Sequence, residues 1–250
     1  MKENLFKKIK TAKIETYPFP HFVIYDFLPQ HIYHEMHAQY PGDDVFESAK
    51  SSSKARKIIE SSDPKFQQLI LKKADKIREL FEITQTREYQ NLFLQKYDKH
   101  LAQLGADLSA SLLHSQMDIT RATTGYQRSV HLDRTTHIIS SMLYINSTDD
   151  YEGEGGDLCL HELKNNTNDI YDVFPEDKDV PIVKRLQTKG NMFVCWVGCH
   201  IGYHSVIPIT KSNGYRKFIY IAINDKNDTV WNKINIKVLS DERRQKFINE

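Results

Sequence analysis

Two histidines and an aspartate carry the chemistry this sequence is best equipped to do. His131 and Asp133 are one residue apart in Val130-His131-Leu132-Asp133, and His204 lies in Gly202-Tyr203-His204-Ser205-Val206. In a strand, alternate side chains share a face, so His131 and Asp133 can point at one ion. His204 is the candidate third ligand. Two imidazoles and one carboxylate on one side of an octahedron suit ferrous iron and leave positions open for co-substrate and oxygen. With 11 His and 33 Asp+Glu in 250 residues, a His-x-Asp or His-x-Glu arises by chance roughly once. Read alone, the pair is equally well a surface histidine beside a solvated aspartate. Its surroundings give it weight.

Those surroundings change character along the chain. Residues 1–15 are lysine-rich and weakly patterned and read as a loose lead-in. Residues 17–28 form an aromatic run entered through Pro18 and Pro20, which predicts an edge strand. Pro29 can open a short helix striped by Leu28, Ile32, Tyr33 and Met36. Residues 42–62, with Ser48, Ser51, Ser52 and Ser53, read as a polar loop and one candidate lid. Asp63-Pro64 is a helix start. Phe66, Leu69, Ile70, Ala74, Ile77, Leu80 and Phe81 then recur at helical spacing, and a second helix follows through Tyr89, Leu92, Phe93, Tyr97, Leu101 and Leu104.

After Asp107, segments rich in Ile, Val, Phe, Tyr and Thr alternate with Gly, Asn and Asp, which signals strands. The pattern predicts them at 111–121, 127–133, 137–146, 157–162, 182–187, 191–197, 202–208 and 215–224. About eight short antiparallel strands behind a helical half predict an α+β chain with a mainly β core, a jelly roll (double-stranded β-helix) flanked by N-terminal helices. The expected organisation is a single domain over 1–250, with support over 1–106, the core over 107–224 and a tail over 225–250. Residues 164–179 are a second candidate lid. The tail offers an Ile234/Ile236/Val238 alternation, read as one more strand before a polar end.

These motifs, in this order, resemble the iron(II)/2-oxoglutarate dioxygenases of the prolyl-4-hydroxylase-like branch. Gly125 precedes His131-Leu132-Asp133 by six residues, and a strand ending Leu143-Tyr144-Ile145-Asn146 follows. Gly155-Gly156-Asp157-Leu158 resembles the glycine-pair turn of that family, and Gly190-Asn191-Met192-Phe193-Val194 the strand before the distal histidine. His204-Ser205-Val206-Ile207-Pro208-Ile209 and Gly214-Tyr215-Arg216 complete the set, and Pro18-Phe19-Pro20-His21-Phe22 resembles the entry of bacterial members. The resemblance covers residues 17–224. It implies iron(II) on His131, Asp133 and His204, with O2 and with 2-oxoglutarate chelating through its 1-carboxylate and 2-keto oxygen. Decarboxylation of 2-oxoglutarate to succinate would drive hydroxylation of a C–H bond, with ascorbate a candidate auxiliary reductant. The implied substrate is amino-acid-like, a prolyl residue of a peptide or free proline first, with sugars and natural products as alternatives on the same scaffold.

The far carboxylate of 2-oxoglutarate needs a fixed cation, and the planar fork of arginine pairs with both of its oxygens. Arg216, Phe218 and Tyr220 share one strand face, and Lys217, Ile219 and Ile221 the other, which leaves Arg216 and Lys217 as competitors; the resemblance favours Arg216, because Gly-x-Arg is the commoner form in bacterial relatives. Where relatives often carry a tyrosine against 2-oxoglutarate, this chain has Ala122, which leaves Tyr126, Gln127 or Tyr144 as substitutes. His137 is assigned to the surroundings of the metal or to the core, His161 to a possible substrate mouth, and His200 to a solvated or backbone-bonded role.

The bulk numbers exclude little but are consistent. A net charge of +1 with 27% charged residues gives no global pull toward nucleic acid or membrane. No apolar run approaches the ~20 residues of a membrane span, and the N-terminus lacks the apolar stretch of a signal peptide. Cys159, Cys195 and Cys199 read as buried thiols, which makes a cytoplasmic location the default. Two competing readings stand beside the oxygenase: a non-catalytic jelly-roll module with a structural metal, for which no fourth ligand is evident, and a cupin-type oxygenase, which would supply more histidines.

Overall fold

The structure is a computed structural model that describes residues 1–47, 50–53, 55–164, 166 and 168–249. Its first element is not a loose lead-in. Lys2–Thr11 forms helix α1, and Leu5, Phe6 and Ile9 are buried from it. Their spacing makes one narrow apolar stripe among lysines, so tertiary packing against a later helix, α6 (Arg87–Gln103), decides the outcome. The aromatic run after it yields only a short strand, β1 (His21–Ile24), at one edge of a sheet. Helix α2 (Gln30–Ala38) follows, with Pro29 at its N-cap rather than inside it.

The segment 42–62 is more ordered than its composition predicts. It forms α3 (Asp43–Glu47), β2 (Lys50–Ser53) and β3 (Arg56–Ile59), while Ser48 lies outside the described residues. β3 is recruited because the neighbouring strand, β4 (Leu113–Ala122), would otherwise be an open edge; Ile58 pairs with Thr120 and Ile59 with Ile119. Asp63 does cap a helix start, its carboxylate accepting from Lys65 N at 2.8 Å. The expected single helix is broken, however, into a π turn (Phe66–Ile70), α4 (Leu71–Lys73) and α5 (Asp75–Thr84). The N-terminus of α5 is met by the residue that caps α2, Gln39, whose side chain accepts from Lys76 N at 3.1 Å.

The β half follows the predicted pattern closely. After β4 come β5 (Arg128–His131), β6 (His137–Tyr144), β7 (Leu158–His161), β8 (Ile170–Asp172), β9 (Ile182–Leu186), β10 (Phe193–Val197), β11 (His204–Val206), β12 (Arg216–Asp225) and β13 (Asn235–Lys237). Seven strands pair in the order β1-β10-β6-β12-β4-β3-β2 and four in the order β5-β11-β7-β9, every pairing antiparallel. The large sheet is buried on both faces. Met117, Ile119, Ile139, Leu143, Cys195, Ile219 and Ile221 join the helical core. Residues of opposite parity, Met142, Tyr144, Val194, Trp196 and Phe218, meet Leu158, Leu160 and Leu186 of the small sheet. This alternation makes a sandwich with helices on one outer face.

The two remaining segments are tied to each other. β8, inside the expected loop 164–179, pairs in parallel with β13 of the tail, and residues 165 and 167 lie outside the described residues. The polar end then forms helix α7 (Asp241–Asn249) rather than trailing off. Cys159, Cys195 and Cys199 are buried free thiols. Among the described residues no helix is long and apolar enough to cross a membrane.

Candidate metal centre

His131 and His204 come together because β5 and β11 are paired, with the two histidines directly opposite in the register. Cross-strand partners share a face, and their ring centroids lie 4.3 Å apart. Each ring is oriented by its own backbone: His131 Nδ1 lies 2.9 Å from Ser129 O and His204 Nδ1 2.9 Å from Gly202 O. A carbonyl can only accept, so each Nδ1 carries the proton and each Nε2 keeps its lone pair for a metal.

Asp133 arrives by a different route from the one strand parity predicts. β5 ends at His131, and Asp133 lies beyond it, where Leu132 N donates to Val173 O at 2.9 Å. The opposite sheet fixes the carboxylate. Ser140 Oγ donates to Asp133 Oδ2 at 2.7 Å and Trp196 Nε1 donates to the same oxygen at 3.1 Å. That leaves Oδ1 turned toward His204 Nε2, 3.8 Å away, and toward His137 Nδ1 at 3.7 Å. One ligand atom from each of His131, Asp133 and His204 falls within 4.8 Å of the others. Three donors converge and their remaining polar atoms are tied back, which is the arrangement a bound ion requires.

The electrostatics agree. Burial, then the neighbouring His204, holds the His131 imidazole well below its ordinary range, so it stays a neutral donor. Burial alone would raise Asp133, but His204 and the hydrogen bond with His137 hold it well below the carboxylate range, as an anion. His137 belongs to these surroundings: its Nδ1 lies 3.0 Å from the Tyr220 hydroxyl, which in turn meets Ser140 Oγ at 3.0 Å.

Arg216 sits further along the same interior. It is fully buried, at the start of β12 on the face of Phe218 and Tyr220, and its guanidinium packs over the rings of Tyr144 and Phe218. Nη2 donates to the Tyr144 hydroxyl at 3.1 Å, while Nε and Nη1 are buried with no hydrogen-bond partner among the described residues. A buried guanidinium with two unused donors is costly unless an anion completes it. Gly156, at φ +81°, makes room for it: a Cβ there would stand 3.2 Å from Arg216 Cδ. Its neighbour Gly155 presses so closely on the Pro208 carbonyl that no side chain fits. Lys217 faces the other way, over Tyr40.

Both candidate tyrosines line this region. Burial pushes the Tyr144 phenol up to about 12, against the pull of Arg216. Burial would also raise Tyr126, yet the guanidiniums of Arg56, Arg216 and Arg128 hold it below its ordinary range, and Arg56 Nη1 reaches its hydroxyl at 3.5 Å. His161 is not at an opening; its Nδ1 lies 2.7 Å from Val180 O and its Nε2 2.8 Å from Ser205 Oγ. His200 is half-buried, its ring edge-on to Tyr171. Sequence reading missed Ser140, Trp196 and Tyr220. Only Trp196 left a trace, because a buried indole N–H needs an acceptor.

No known family profile matches the chain, and no curated protein sequence matches it. Solved structures do. A crystal structure of prolyl 4-hydroxylases from Phytophthora capsici aligns with a TM-score of 0.53 at 16% identity, covering 94% of this chain and 67% of that one. A prolyl-4-hydroxylase from Pseudomonas putida aligns at 13% identity and a TM-score of 0.49, covering 89% of this chain and 97% of that one. The chain therefore shares its fold with a prolyl 4-hydroxylase.

Proposed function

We propose that the chain is an iron(II)- and 2-oxoglutarate-dependent dioxygenase built on a double-stranded β-helix. It would hydroxylate a C–H bond of an amino-acid-like substrate, a prolyl residue or free proline being the first candidate. One observation carries this reading. The convergent His131, Asp133 and His204 donors share an interior with a fully buried Arg216 guanidinium whose Nε and Nη1 have no partner among the described residues. A metal site alone would not need that cation. An organic anion bound in the same interior would use it.

Within this reading His131 Nε2, His204 Nε2 and Asp133 Oδ1 hold iron(II), which when bound supplies oxygen activation coupled to decarboxylation of 2-oxoglutarate. Ser140 and Trp196 keep Oδ2 engaged and so orient Oδ1. Arg216, steadied by the Tyr144 hydroxyl, takes the far carboxylate through a charge-assisted pair. Tyr144 and Phe218, whose rings pack against the guanidinium, keep bulk water from that pair. The test is succinate release from 2-oxoglutarate on adding iron(II), with and without prolyl peptides or proline. Release that disappears in His204→Ala supports the proposal. Protein that binds both iron(II) and 2-oxoglutarate yet forms no succinate would be a non-catalytic module instead.

A further inference from the structure

Helix α7 lies against β5, the strand that carries His131. Its Phe247 ring packs against the His131 ring with centroids 4.7 Å apart, and against Phe174 at 4.6 Å. Arg128, on β5 three residues before His131, places its guanidinium 4.0 Å from the centre of the Phe247 ring. The same guanidinium donates from Nη1 to the Phe247 carbonyl at 2.8 Å. Earlier in α7, Arg243 Nη1 donates to Asp172 Oδ2 at 2.7 Å and to Phe174 O at 2.8 Å. α7 also lies against β2. β5 and β2 are edge strands, of the four-stranded and seven-stranded sheets respectively, so α7 spans from one sheet to the other.

The hold is specific but light. α7 buries none of its residues fully, and Ile248 beside Phe247 is 51% exposed. A helix attached by one aromatic ring and a few charge-assisted bonds, without a core of its own, opens at low cost compared with the strands beneath it. A permanent wall would be expected to bury an apolar stripe instead.

We propose that α7 is a detachable plug: Phe247 fills the approach to the metal ligands, and a substrate gains that approach when α7 swings off β5. The assignment of His131 as a metal ligand is taken from the function proposed above, but the test does not depend on it. Metal-free protein is treated with diethyl pyrocarbonate, which acylates accessible neutral imidazole nitrogens, and the modification of each histidine is followed by peptide mass spectrometry. In the native chain His131 should react slowly beside the exposed His34. In Phe247→Ala the rate at His131 should rise about tenfold, with that at His161, buried in β7, unchanged. A native rate at His131 in the variant overturns the plug, and so does an equal rise at His161, which would mean general loosening. Cobalt(II) titration of the same proteins is read separately. Failure of the native chain to bind cobalt sinks the oxygenase reading, while the acylation rates still decide the plug.

Discussion

The indole nitrogen of Trp196 reaches across the sandwich to Asp133 Oδ2 at 3.1 Å, so the large sheet holds a carboxylate that the small sheet's neighbourhood supplies. Removing that donor should loosen the carboxylate without deleting it. Trp196→Phe is expected to weaken cobalt(II) or iron(II) binding about tenfold, measured by titration of the metal-free protein. Unchanged affinity would mean that Ser140 alone suffices to orient Asp133.

Arg216 and Lys217 are adjacent in sequence and opposite in direction. Arg216→Ala should raise the 2-oxoglutarate concentration for half-saturation by about a hundredfold, the loss of one buried charge-assisted pair. Its metal affinity should stay near native. Lys217→Ala, on the outer face over Tyr40, should leave 2-oxoglutarate binding alone. Calorimetric titration of both variants separates the two, and a larger effect at Lys217 would refute the strand parity.

A bound ion adds stability to the folded chain only. At a metal concentration about a hundredfold above its dissociation constant, mass action stabilises by about 2.7 kcal/mol, which for a chain of this size raises Tm by roughly 5–10 °C. Differential scanning fluorimetry with cobalt(II) should show that rise, and a chelator should reverse it. His131→Ala should abolish it.

Asp118 introduces a pH dependence away from the candidate metal centre. Burial pushes its carboxyl up to about 6, against hydrogen bonds from Gln116 and Ser61 N. Because the folded state holds this proton more tightly than the unfolded state, the group costs nothing below about pH 4. Its penalty grows as pH rises and is complete above about pH 6, at about 3 kcal/mol. Asp118→Asn carries no such proton. The Tm of the native chain should therefore fall relative to that of the variant between about pH 4 and pH 7, and a constant difference would contradict the assignment.

Helix α1 belongs to the core. Leu5 is 0% exposed, and Leu5→Ala should cost about 2–5 kcal/mol, measured by denaturant unfolding. A change below about 0.5 kcal/mol would show that α1 is a surface attachment.

The sequence by itself determined the β core, the candidate ligands and the placing of Arg216 and Lys217 on opposite strand faces; which of the two faces inward was left to the fold. Period-two alternation is a local property, so the positions of β6, β10 and β12 and the parity of residues 216–221 could be read directly. His131, Asp133 and His204 were legible because few residue types can hold iron and because they stood among ordered motifs. Tertiary structure decided everything that depends on distant partners. Residues 1–15 and 42–62 look polar, yet α1 finds α6 and β3 finds the open edge of β4. The parity argument placed Asp133 on a strand, whereas Ser140 and Trp196 of the other sheet fix it beyond the strand's end. Phe247 reaches His131 across 116 positions of chain, a closeness that no local pattern encodes because sheet pairing alone sets which remote segments become neighbours.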